Sequence, residues 1–298
     1  MKILVTGAWQ CTPEQLDEIR CLGNEVVFMQ NEKDELPVSP SEIEGAICNG
    51  LFLYHDIKEF TALKYIQLTS AGFDRVPMEH VKDKNIKIFN ARGVYSIPMA
   101  EFAVAGVLQM YKQSKFFALH QAEHKWVKHR GLLELYNKHV CIVGCGNVGT
   151  ECAKRFNAFG CVAFGVDLYP RVDENYTEMY SLDELDKALS KADIVILTLP
   201  LTEETRHLFN GEKLSKMKTG AILVNIARGA VVETSALIEA LGGHLGGAVL
   251  DVFEEEPLGA GNSLWGMENV ILSPHNSFVG DGNSDRLQDC ILSNIRKV

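Results

Sequence analysis

Short β-branched runs alternate with helical stretches along this whole 298-residue chain, and no other property narrows its fold as far. Lys2-Ile-Leu-Val-Thr6, Glu25-Val-Val-Phe-Met29, Gly45-Ala-Ile-Cys48, Tyr65-Ile-Gln-Leu-Thr69 and Ile86-Lys-Ile-Phe89 read as a first series of five strands. A long helical pattern from Pro98 to about His124 then carries Ala, Val, Leu and Met on one face, and it reads as a link between two domains. A second series of six strands follows at Val140–Val143, Val162–Val166, Asp193–Thr198, Ala221–Ala227, Ala248–Phe253 and Val270–Ser273. The last residues, Asp285 to Val298, read as one amphipathic helix. Strands separated by helices make parallel sheets, so the chain is expected to be α/β, with two doubly wound parallel-sheet domains. Its length suits two domains with a sizeable core.

Charge removes several classes of partner. The formal net charge is −10 and there is no long Lys/Arg run, which argues against nucleic acid and against an anionic membrane surface. No stretch reaches the roughly 18 uninterrupted apolar residues of a membrane helix. The apolar start Ile3-Leu-Val5 stops at Thr6-Gly7, too soon for a leader. Eight cysteines lie mostly in or beside apolar runs without a Cys-x-x-Cys pair, so buried thiols in a reducing cytoplasm are expected, and no metal site.

Gly144-Cys145-Gly146-Asn147-Val148-Gly149 comes directly after one strand and directly before a helical run, Thr150 to Phe159. In such a loop the glycines make a tight turn, let backbone approach a pyrophosphate and allow close helix-to-strand packing, while the helix N-terminus offers N–H groups to phosphates. Alone this pattern is weak. Asp167 strengthens it by ending the next strand, where a carboxylate accepts hydrogen bonds from a ribose diol. A carboxylate there repels a 2′-phosphate, so NAD is the expected cofactor and NADP is disfavoured. Arg171 would soften that preference, and its plainer reading is a solvated loop cation.

Three further residues each follow a strand of the second series: Arg228 after Ala221–Ala227, Glu256 after Ala248–Phe253 and His275 after Val270–Ser273. A parallel sheet gathers the C-terminal ends of its strands along one crevice, so a guanidinium, a carboxylate and an imidazole are expected to meet there. Together they can hold an anionic substrate and move a proton, which suits a 2-keto or 2-hydroxy acid. Each also has a plainer reading. Arg228 could be a structural salt bridge, His275 a packed or capping side chain, and Glu254 and Glu255 solvated loop acids beside Glu256. The remaining histidines show no comparable setting.

Pro200-Leu-Thr-Glu-Glu-Thr205, Val224-Asn-Ile-Ala-Arg228-Gly229, Leu250-Asp-Val-Phe-Glu-Glu-Glu256-Pro-Leu258 and Ser273-Pro-His275 join the glycine loop and Asp167 in a set that resembles the D-isomer-specific 2-hydroxyacid dehydrogenases. The N-terminal half agrees through Ser70-Ala-Gly72-Phe-Asp74 and Asn90-Ala-Arg-Gly93-Val94, with Ala100-Glu101 opening the linking helix. The resemblance implies an oxidoreductase that moves hydride between NAD(H) and C2 of a small D-2-hydroxy acid or 2-keto acid, usually as a homodimer. It implies a flavodoxin-like substrate domain from residues 1–92 and 274–298, with a Rossmann cofactor domain, residues 93–273, inserted.

Residue by residue, the resemblance makes Arg228 the group that binds the substrate carboxylate and polarises the carbonyl, and His275 the acid/base. Glu256, which directly precedes Pro257 as the family's glutamate does, holds that histidine and favours its charged form. Pro200, Thr205 and Ala227 are implied to line the cofactor and Asp251 to stand at its nicotinamide end, the alternative for Asp251 being a buried acid that caps neighbouring loops. The N–H groups of Ala71 and Gly72 are implied to face the substrate carboxylate, the alternative being a simple tight turn. Phosphoglycerate-specific relatives carry an arginine just before that turn, where this chain has Leu68, so a phosphorylated substrate is disfavoured. Control by an appended regulatory domain is not expected. Glu256 speaks against formate-type members, which use glutamine, whereas a phosphite-type dehydrogenase shares the triad. From a different class, an NAD(H)-sensing, corepressor-like binding protein also stays open.

Overall fold

The computed structural model describes residues 1–298, and the chain divides into two compact units. One consists of Met1–Tyr95 with Gly280–Val298, the other of Ser96–Val279. Both limits fall a few residues later than those read from the sequence, and His275 thereby belongs to the larger unit.

In the smaller unit, β1 (Lys2–Thr6), β2 (Glu25–Met29), β3 (Gly45–Cys48), β4 (Tyr65–Leu68) and β5 (Lys87–Phe89) pair in parallel in the order β2-β1-β3-β4-β5. Successive side chains of a strand point to opposite faces, so β1 sends Ile3 and Val5 into one core and Leu4 into the other, all fully buried. Helix α1 (Pro13–Cys21) starts at a capping box: Thr12 accepts the Gln15 N–H at 3.3 Å and the Gln15 side chain accepts the Thr12 N–H at 2.9 Å. The C-terminal helix, Asn283–Ile295, returns to this unit and lays Leu287, Ile291 and Ile295 in the core of Ile3, Val5 and Ile47. Asn294 Nδ2 donates to the buried Gln67 side chain at 2.9 Å and anchors that return.

The larger unit opens with α2 (Ser96–Tyr111) and α3 (Ser114–Ala122), two helices where the periodicity reads as one. Gln113 between them has a φ of 53°, outside the right-handed helical region, and no glycine or proline marks the break. Seven parallel strands follow: β6 (His139–Val143), β7 (Val162–Val166), β8 (Met179–Tyr180), β9 (Ile194–Leu197), β10 (Ile222–Asn225), β11 (Gly247–Leu250) and β12 (Val270–Leu272). The sequence reading has six, because β8 is only two residues long and too short to carry a pattern. Their order, β8-β7-β6-β9-β10-β11-β12, is the dinucleotide-binding order with one strand added.

Each face of this sheet has its own core. Val140, Ile142 and Ile196 pack with Val104 and Val107 of α2 and with Phe156 of α4 (Asn147–Ala158). On the other face Val143, Val195 and Leu223 pack with Leu189, Leu214 and Leu237, which come from three further helices, Leu185–Leu189, Gly211–Ser215 and α5 (Thr234–Gly242). The strand order reverses between β6 and β9, so the crevice of this fold opens at the C-terminal ends of those strands. No helix of the chain is long and apolar enough to cross a membrane.

Candidate active site

The chain leaves β6 at Gly144, whose φ is 97°, and enters α4 through Gly146 as N-cap. A Cβ on Gly144 would lie 2.6 Å from Leu199 N, and one on Gly149 would lie 2.3 Å from the Gly144 carbonyl oxygen, so both approaches need glycine. Gly146 has no side chain to cap the helix, and the N–H groups of Asn147 and Val148 donate to no protein atom. They are left for an outside acceptor. Asp167, directly after β7, stands on the same loop. Its Oδ2 accepts the Cys145 N–H at 2.8 Å and its Oδ1 the Tyr169 N–H at 3.0 Å, and lone pairs remain on both oxygens for a diol. These residues fit a pyrophosphate and a ribose. Arg171 is anchored here as well, since its guanidinium donates to the Cys145 carbonyl at 3.2 Å. The Cys145 thiol turns inward, where burial pushes it up to about 12, and it acts as a neutral packing group.

The loop after β9 carries Pro200, which is exposed, and Thr205, which is 8% exposed. The Thr205 hydroxyl donates to the Pro200 carbonyl at 2.8 Å and accepts the Thr202 N–H at 2.7 Å, so this side chain serves its own loop.

After β10, a residue that sequence reasoning passed over shapes the turn. Asn225 is 1% exposed; its Oδ1 accepts the Ala227 N–H at 3.1 Å and its Nδ2 donates to the Arg228 carbonyl at 3.1 Å. The available signal is an amide side chain at the last position of an otherwise apolar strand. Ala227 is buried and its carbonyl accepts Arg228 Nη1 at 2.7 Å. Arg228 itself is exposed and pairs with no carboxylate, which removes its salt-bridge reading. At the next residue two loops touch through their backbones: a Cβ on Gly229 would lie 1.8 Å from the Phe253 carbonyl carbon and 2.4 Å from Glu254 N.

Asp251, directly after β11, is fully buried. The Ser273 hydroxyl and the Asn276 N–H donate to its Oδ1, the latter at 2.7 Å, and the Ser277 N–H donates to its Oδ2 at 3.0 Å. Its main-chain carbonyl accepts the His275 N–H at 2.7 Å. This is the loop-capping arrangement that the sequence offers as one reading of Asp251. It holds His275 at a φ of 51°, a left-handed conformation that histidine adopts more readily than most side chains. His275 Nδ1 then lies 2.8 Å from Glu256 Oε2, while Glu256 Oε1 accepts the Phe253 N–H at 3.0 Å. A carboxylate only accepts, so Nδ1 carries the proton of this bond and Nε2 is left to exchange one. The Phe278 ring meets the imidazole edge-on at 6.2 Å.

Glu254, read as a solvated loop acid, is exposed and also hydrogen bonded, since His207 Nε2 lies 2.5 Å from its Oε1. Both residues sit on loops that only the folded sheet brings together.

In the smaller unit, Ala71 and Gly72 form a turn after β4. Asn90 Nδ2 donates to the Ala71 carbonyl at 2.6 Å and the Ser70 hydroxyl to the Gly72 carbonyl at 3.3 Å, while the N–H groups of both residues donate to no protein atom. Leu68 is 1% exposed and belongs to the core under that turn.

The sheet order and the glycine loop define a dinucleotide-binding α/β protein. The sequence pattern of the NAD binding domain of D-isomer specific 2-hydroxyacid dehydrogenases matches residues 104–277, and this chain belongs to that family. It is 38% identical over 221 residues to the glyoxylate reductase of Thermofilum pendens, a match covering 72% of this chain and 65% of that protein. It is 34% identical over 258 residues to the hydroxypyruvate reductase of Thermotoga maritima, covering 84% of this chain and 83% of that one. Among solved structures, the D-isomer specific 2-hydroxyacid dehydrogenase from Xanthobacter autotrophicus in complex with NADPH and MES is similar with a TM-score of 0.81 and 28% identity, over 99% of this chain and 94% of its own.

The backbone contact at Gly229 yields a sharp expectation. Gly229→Ala must push the Arg228 turn and the loop of Glu256 apart, and a displacement of about 1 Å is enough to cost on the order of 10²-fold in turnover. Steady-state rates of the soluble, folded variant check this, and near-normal rates would show that the two loops move independently.

Proposed function

We propose that this chain interconverts small, unphosphorylated 2-keto acids and D-2-hydroxy acids with NAD(H). The observation that carries the reading is the 2.8 Å contact between His275 Nδ1 and Glu256, on a turn that Asp251 ties down. In reduction the imidazolium gives its Nε2 proton to the ketone oxygen, and in oxidation the neutral ring takes that proton from the hydroxyl. The nicotinamide, when bound, supplies or takes up the hydride at C2. Arg228, exposed and unpaired with any carboxylate, suits a substrate carboxylate in two parallel hydrogen bonds, and within the smaller unit the unengaged N–H groups of Ala71 and Gly72 are donors of the kind that suits an anion. Relatives named for glyoxylate and hydroxypyruvate support a small substrate. Leu68 puts no cation before the turn, which supports an unphosphorylated one.

Asp167 supports NAD as the working cofactor, with Arg171 acting against it from the same loop. Eight free cysteines support a reducing compartment, in keeping with a cytoplasmic enzyme. A homodimer is part of the same reading, and Leu119, Trp126 and Tyr136, respectively 58%, 95% and 67% exposed on α3 and the segment after it, support it as large apolar side chains left open.

Four measurements test these points. Following NADH absorbance with glyoxylate, pyruvate, hydroxypyruvate and phenylpyruvate should show turnover with at least one, and NADH binding without any turnover would favour a sensor; His275→Ala should lose about 10²-fold or more of the wild-type rate while keeping NADH affinity. Asp167→Ala should shift kcat/KM toward NADPH by about tenfold or more, and an unchanged ratio would assign ribose reading to another group. Sedimentation of the purified chain should give twice the 33.1 kDa monomer mass, and a monomer at micromolar concentration would dismiss the dimer.

A further inference from the structure

The geometry points to Glu254 as a positioning residue that, with His207, sets the loop carrying Glu256. The inference rests on the proposed role of Glu256 in holding His275.

Glu254 ties three loops together. Its Oε1 lies 2.5 Å from His207 Nε2, on the segment that follows β9, and its Oε2 accepts the Thr234 N–H at 2.7 Å, at the first turn of α5. Because a carboxylate only accepts, the His207 proton of this bond is on Nε2. His207 is itself fixed: its φ is 50° and its N–H donates to the Ala230 carbonyl at 2.8 Å. Burial would push the Glu254 carboxyl up, yet the Thr234 hydroxyl, the Thr234 N–H and the His207 ring outweigh it and hold the group below its ordinary value. The charged form is therefore the one these bonds favour.

The consequence falls on Glu256 through the backbone. Phe253 donates its N–H to Glu256 Oε1 at 3.0 Å, and the Phe253–Glu254 peptide is pressed against Gly229. The only side chain of the acidic run that grips the neighbouring loops on the far side of that peptide is Glu254. Without it, the segment from Phe253 to Glu256 keeps its contact with Gly229 but loses both lateral ties, and the carboxylate facing His275 loses its fixed position. Glu254 does not touch the reacting atoms. It acts through Glu256.

A double-mutant cycle tests this with the full chain, NADH and whichever 2-keto acid the wild-type protein reduces. Glu254→Ala should lower kcat by about tenfold or more with the KM for NADH unchanged, since misplacing a catalytic group by about 1 Å costs up to 10²-fold. In a Glu256→Gln background the same change should cost less than about twofold, because the carboxylate it positions is already gone. His207→Ala, which cuts one tie and leaves the bond to Thr234, should give a smaller loss that vanishes in the same way, so the cycle can be completed if Glu254→Ala fails to fold. An equal loss in both backgrounds would mark a general structural effect and overturn the inference, as would an unchanged kcat in both single variants. If Glu256→Gln alone runs at the wild-type rate, the role of Glu256 fails first, and its positioning residue with it.

Discussion

Asp251 is the tie on which the site depends. A wholly buried carboxylate is costly unless its oxygens are hydrogen bonded, and here the turn of residues 273–277 supplies the donors. The same bonds hold His275 in a left-handed conformation that the chain would not keep by itself. Burial of the acid and placement of the imidazole are thus one arrangement. Remove the carboxylate and the donors of the turn lose their acceptors, while His275 loses the frame that aims it at Glu256.

Neighbouring strands do the rest. β10, β11 and β12 lie side by side in parallel, so the residues that follow them, Arg228, Asp251 with Glu256, and His275, emerge at one edge of one sheet. Their spacing there is set by hydrogen-bonded register rather than by chain length, which is why side chains dozens of residues apart can form one constellation. Small residues then let the loops close. Gly229 allows one loop to rest on the peptide of the next, and Asn225 braces the turn on which Arg228 stands exposed without a carboxylate partner. Rigid cores on both faces keep this edge from drifting.

Much of this is legible in the sequence. Strand periodicity located the sheet elements, and the position of Arg228, Glu256 and His275 just beyond strand ends marked them for the crevice. The glycine loop and Asp167 are equally plain, because Gly144 and Gly149 answer local steric demands and Asp167 directly follows a strand. What escaped detection shares one cause. The break at Gln113 carries no local signal, β8 exists only because β7 offers it an edge, and the histidine of the Glu254 pair lies on another loop. The Thr205 hydroxyl bonds its own loop, and the Asp251 carboxylate bonds the turn that follows β12, contacts that no local motif shows.

Residue order by itself determined the alternation of strands and helices, the parallel character of both sheets, the dinucleotide loop and the short set of polar groups at strand ends, since these follow from side-chain periodicity and from backbone sterics within a few residues. Only the tertiary structure decided that Glu254 meets His207, and that the buried Asp251 carboxylate holds the turn of His275. Those outcomes depend on distances across the sheet, which arise from strand register and loop packing and are written in no single stretch of the chain.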